Sequence, residues 1–191
     1  VAYLLAFAPW IAFAVVPGSA WTWAALAALA ISVFGVVRQT RAGLPLDAQI
    51  IAIGSAAYFA ALTVLAFADP HTALHAYTPA LASGALGLIG LGSLAVREPF
   101  TLGIAKQEMP REAWDHPAFL RVNVVITAVW TASFVIGAVA LAFLAHSSVA
   151  LRSTVQVAAF VVPMVFTGRY VAAARARAQE ADDATPAAAA A

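Results

Sequence analysis

The chain has 191 residues, of which 63% are apolar and 10% charged, and its mean hydropathy is +0.89. Soluble domains are only about 45 to 50% apolar, so this composition excludes a water-soluble globule and makes the bilayer the solvent. A formal net charge of +1 offers no overall polarity for nucleic acid, and the lack of cysteine excludes disulfides, thiolate metal sites, iron–sulfur clusters and cysteine nucleophiles.

Charges and turn residues cut the chain into six apolar segments, at about 2–16, 21–37, 48–67, 77–96, 122–145 and 149–168, each near the length that spans hydrocarbon as a helix. Ala and Leu dominate these runs, and the strict alternation of a membrane β-barrel is missing. The expected fold is an all-α bundle of transmembrane helices, a single domain over 1–168. The chain starts at Val1, and the first segment is the one that leaves five crossings as the alternative. Gly18-Ser19-Ala20 resembles a signal-peptide exit, but no Lys or Arg precedes it, which argues against that reading.

In chain order, Pro17-Gly18-Ser19-Ala20 predicts a tight turn between the first two segments, with Trp21 and Trp23 at the interface beyond it. Pro9, Pro79 and Pro163 fall inside apolar segments and predict kinks. Gly84, Gly87, Gly90 and Gly92 predict close helix packing in the fourth. In the fifth, Asn123, Thr127 and Thr131 recur every four residues as a polar stripe, and Ser153 and Gln156 are polar in the sixth; interhelical hydrogen bonding is the simplest reading of both. The tail, 169–191, begins with Arg169, Arg175 and Arg177, which suit anionic headgroups, and then becomes alanine-rich around Pro186, predicting disorder.

Lys and Arg are retained on the cytoplasmic side of a membrane. Arg38 and Arg41 follow the second segment, Arg97, Lys106, Arg111 and Arg121 the fourth, and Arg169, Arg175 and Arg177 the sixth; only Arg152 falls on the other side. Both termini are therefore expected in the cytoplasm.

Two clusters carry the chemistry-bearing residues. The 97–121 connection holds Arg97, Glu98, Lys106, Arg111, Glu112, Trp114, Asp115 and Arg121, with Pro99 and Pro110 placed to start two short helices and His116-Pro117 to stop the second. It reads as a partly folded interfacial loop, suited to partner contacts, in which Arg111 and Asp115 pair on one helix face. On the opposite side, His71 and His75 stand four apart, a spacing that aligns two imidazoles on a helix. With His146 from the next loop and Asp69 beside them, they are the candidate metal ligands. The pair lacks a zincin glutamate, and simple polar anchoring is the competing reading.

Taken in order, Arg38, Arg41 and Pro45 before Gln49, Asp69-Pro70 with Thr72, Pro79, Leu91-Gly92-Ser93, Pro110, Trp114, Asn123, Trp130 and Phe134 form a pattern over about 36–145. The pattern resembles the bacterial intracellular septation protein A family of YciB-like inner-membrane proteins. The chain departs from it at His71, Ala73 and His75, where the family is richer in aromatics and lysine. The resemblance implies an inner-membrane protein that serves envelope maintenance or septation through contacts with other envelope or division membrane proteins, and it carries over no catalytic residue. A small transporter or channel, and a metal- or cofactor-binding membrane enzyme or electron-transfer subunit on the outer histidines, are the alternatives. Expected partners are the lipid bilayer, such membrane proteins or further copies of the chain, and no nucleic acid.

Overall fold

The computed structural model describes residues 6–114 and 116–188, and among these residues every regular element is helical. Seven α-helices follow in order: α1 Ala8–Val15, α2 Trp21–Arg41, α3 Ile50–Ala68, α4 Thr78–Ala95, α5 Phe100–Lys106, α6 Pro117–Phe143 and α7 Val149–Ala188. Short 3-10 turns lead into α2, α3 and α4 and lie between α5 and α6. Among the described residues five stretches are long and apolar enough to cross a bilayer: Gly18–Arg41, Leu46–Ala68, Ala73–Ala95, Pro117–Phe143 and Val149–Arg177. The chain is an all-α, multi-pass membrane protein.

The described part of the first apolar segment packs into the bundle. As described, α1 has eight residues, about 12 Å of helix; Phe7 just before it and Trp10 within it enter the core, while Ile11, Ala14 and Val15 stay exposed. Phe7 stacks on Trp130 at 4.9 Å between ring centroids, Trp10 stacks on Tyr58 at 5.0 Å, and Trp10 Nε1 donates to Ser55 Oγ at 2.8 Å. Phe59, Phe134 and Phe160 close around them, with Phe59, Trp130 and Phe134 wholly buried. In lipid, burial between helices gains dispersion contact rather than hydrophobic free energy, and interlocked rings supply many such contacts.

Around this plug, the largest seam joins α4 to α6, followed by α2 to α3 and α6 to α7. Small residues make the first seam close: a Cβ added at Gly87 would lie 3.0 Å from Val135 Cγ2, and one at Gly90 would overlap the Thr131 hydroxyl. Gly92 meets nothing within 4 Å, so the predicted packing holds for three of the four glycines, Gly84 reaching Ala138 at 3.8 Å.

Only one of the three prolines expected to kink a span lies in a helix interior. Pro9 and Pro79 occupy the first turns of α1 and α4, where the missing N–H would have no intrahelical partner anyway. Pro163 is wholly buried inside α7 and leaves the Ala159 carbonyl without its N–H donor. Ser133 Oγ of α6 donates to that carbonyl at 3.0 Å. One turn on, Thr167 Oγ1 donates to Pro163 O at 2.8 Å and accepts from Trp130 Nε1 at 3.0 Å. A neighbouring helix thus repairs the break.

Two further expectations need correction. Trp21 is buried, with Nε1 donating to Pro70 O at 3.2 Å, and only Trp23 stays exposed, edge-on to Phe67. His116-Pro117 starts α6 instead of stopping a helix, because Pro117 sits in the first turn and His116 Nδ1 accepts the Ala118 N–H at 3.2 Å. Among the described residues α7 runs on through the basic turn to Ala188. Beyond Val171 it is rich in Ala, with Arg, Gln and Glu, which are good helix formers, while Asp182, Asp183, Thr185 and Pro186 are poor ones.

Candidate functional site

The loops gather at two ends of the bundle. At the cation-bearing end, the 97–121 connection is folded, not loose. Helix α5 buries Phe100, Thr101, Leu102, Gly103 and Ile104 against its neighbours. Its first free N–H groups, which no residue within α5 can satisfy, are taken by other helices: Phe100 N–H donates to Ser93 Oγ at 3.2 Å and Thr101 N–H to Thr127 Oγ1 at 3.4 Å. Thr101 Oγ1 donates to Asn123 O at 3.0 Å, which leaves the Thr127 hydroxyl as donor in the 2.8 Å contact between the two threonines.

That cycle is what the polar stripe of α6 does. Thr127 fastens α5, Asn123 Nδ2 donates to Phe119 O at 2.9 Å, and Thr131 faces Gly90 of α4. Asn123 Oδ1 and Thr131 Oγ1 are buried without a protein partner. Gln156 lies apart from the stripe, on α7 at the opposite end.

The turn before α3 completes the same platform. Gln49 is wholly buried, Nε2 donating to Leu44 O at 2.8 Å while Oε1 accepts from Thr40 at 3.2 Å. Gly103 lies so close to Ala48 that a Cβ would overlap its carbonyl oxygen. Lys106 Nζ bonds Asp47 Oδ2 at 3.1 Å and lies 5.3 Å from the Trp114 ring centroid, with the Arg111 guanidinium 5.6 Å from the same ring. Trp114 Nε1 donates to Met109 O at 3.2 Å. Arg97, Arg111, Glu112 and Arg121 are exposed and Glu98 is partly so. Asp115, and with it the expected Arg111–Asp115 pair, lies outside the described residues.

At the other end, the predicted histidine pair does not share a helix. Pro70 and His71 lie in a turn, Thr72 Oγ1 accepts the Leu74 N–H, and only then does the 3-10 turn Ala73–Tyr77 carry His75. His75 packs on Trp21 at 5.0 Å, while His146 lies edge-on to Tyr77, its Nε2 3.5 Å from the hydroxyl. Among the described residues no three His, Asp or Glu side chains gather as a metal site, so Asp69, His71, His75 and His146 are not assembled as one ligand set.

The same end holds a cleft of about 630 Å³ between α1, α4 and α7, bordered by Trp21, His75, Thr78, Arg152, Ser153 and Gln156. Arg152 Nη1 donates to Ala145 O at 3.2 Å, whereas its Nε–H is buried without a partner. Residue types and spacing did not disclose this cleft, because it depends on α1 standing opposite the start of α7. The one sequence signal was Arg152 itself, the lone cation on its side.

Fold and surface together define an integral membrane protein crossing the bilayer several times, with a folded charged platform at one end and a polar cleft at the other. No family model, curated protein or solved structure matches the chain.

Proposed function

We propose that this protein resides in the bacterial cytoplasmic membrane with its basic end in the cytoplasm, and acts by holding other membrane proteins of envelope maintenance or septation at the 97–121 platform. The carrying observation is that this connection is pinned from four directions, by Ser93, Thr127, Ala48 and Asp47, while Arg97, Arg111, Glu112 and Arg121 stay exposed. A surface already fixed avoids part of the ordering entropy of binding, about 0.5–1.5 kcal/mol for each side chain immobilised. Trp114, held between Lys106 and Arg111, supplies the aromatic anchor that interfaces favour, ringed by charges that select the partner. The order of landmarks shared with the septation protein A pattern supports the cellular setting.

Exchanging Arg97, Arg111, Glu112 and Arg121 for serine, with Trp114→Ala as a separate variant, tests the reading through co-purification of crosslinked membrane partners. Both variants should insert normally and recover far less partner. Undiminished recovery with both would refute it.

A further inference from the structure

The cleft beside Arg152 does not stop at the membrane surface. It shares Ala14, Val15, Ser153 and Gln156 with a second, apolar hollow of about 300 Å³ that runs down between α1 and α7 to Trp10, Val157 and Phe160. From Arg152 to Phe160 is about 12 Å along the helix. The combined groove is therefore polar at its outer end and apolar where it descends toward the middle of the bundle.

The electrostatics at the polar end are unbalanced. Arg152 is the lone cation of that side of the chain, no carboxylate borders the groove, and no ion pair involves it among the described residues. Arg152 is partly buried, and a guanidinium partly withdrawn from water without an anion bears a cost that a bound anion would relieve. Nη1 is committed to Ala145 O and Nε is enclosed by protein, so Nη2 is the nitrogen left to meet a phosphate or carboxylate through a charge-assisted bond. Helices α4 and α7 both begin at this cleft, adding the partial positive charge of their N-termini.

We infer that the groove between α1 and α7 binds an anionic phospholipid of the leaflet on the Arg152 side, its phosphate on Arg152 with Ser153 and Gln156 beside it and an acyl chain in the slot reaching Trp10 and Phe160. Charge complementarity selects an anion, and the continuation of the polar cleft into an apolar slot selects an amphiphile over a free phosphate. The zwitterionic headgroup carries its own cation and gains less from an isolated guanidinium.

The test is native mass spectrometry of the full chain released from nanodiscs of equal phosphatidylglycerol and phosphatidylcholine. The wild type should retain one phosphatidylglycerol with a preference of about tenfold or more, the scale of one hydrogen-bonded charge contact. Arg152→Gln should abolish the preference, Arg152→Lys should keep part of it, and Ala14→Phe, which fills the slot and leaves the charge, should lose the bound lipid. Millimolar inorganic phosphate should not displace it. Equal retention of both lipids by the wild type, an unchanged preference in Arg152→Gln, a lipid still held by Ala14→Phe, or displacement by phosphate alone would each overturn the assignment. If Arg152→Gln does not fold, the weaker preference of Arg152→Lys decides, and an undiminished one counts against it.

Discussion

Two helix ends at the basic side close with the same hydrogen bonds but different residues. After α2, Gly43 takes φ 74°, with Leu44 N–H donating to Gln39 O and Gly43 N–H to Thr40 O. After α4, Arg97 takes φ 63°, with Glu98 N–H donating to Ser93 O and Arg97 N–H to Leu94 O. Both are Schellman closures, for which glycine has no Cβ penalty. Arg97→Gly should therefore raise stability by about 1 kcal/mol, seen as a higher midpoint of thermal unfolding in detergent; a lower midpoint would mean that the Arg97 side chain makes a compensating contact. Gly103 is the opposite case, since the obstructing atom is the Ala48 backbone and cannot rotate away. Gly103→Ala should cost about 1–3 kcal/mol, whereas Gly92→Ala, with open space around it, should be neutral or stabilising by up to about 1 kcal/mol. Equal melting shifts for the two would contradict the close approach.

At the scale of elements, the repair of Pro163 is a testable coupling between α6 and α7. Removing the Ser133 hydroxyl leaves the Ala159 carbonyl without a partner, which costs about 1–3 kcal/mol when buried. In a Pro163→Ala background the restored N–H takes over that carbonyl, so Ser133→Ala should become nearly silent. A double-mutant cycle that proves additive would dismiss the repair. The same elements show what was readable beforehand. Pro163 was legible as an interior proline, and Thr127 as one of a four-residue stripe, because both are statements about one helix. Their partners were not legible, since Ser133, Thr101 and Ser93 meet them only across helix seams. The histidine pair failed for a related reason: a four-residue spacing aligns side chains only on a helix, and Pro70 with the Thr72 cap keeps His71 off it. Helix positions came through well because hydropathy and length decide them. The role of α1 did not, since an apolar run that fills a core and one that faces lipid have the same composition.

For the whole molecule, the last crossing, within Val149–Arg177, has 11% of its apolar 18-residue window buried in the bundle, against 39% for that within Pro117–Phe143. It contacts mainly α6 and leaves Val157, Val161, Val162 and Val165 exposed to lipid. Every Lys and Arg apart from Arg152 belongs to one end, by way of the last turn of α2, the turn after α4, α5 and the 3-10 turn that follows it, the start of α6 and the far part of α7. That asymmetry requires the chain to thread the bilayer so that the 97–121 platform and the His71 and His146 turns face opposite compartments. The natural lack of cysteine makes the decisive measurement direct: single cysteines at Glu112→Cys, His71→Cys and Ser147→Cys, probed in intact cells with a membrane-impermeant maleimide. The His71→Cys and Ser147→Cys proteins should label from outside, and Glu112→Cys only after the membrane is opened. Labelling of all three from the same side would contradict the threading and, with it, the assignment of both faces.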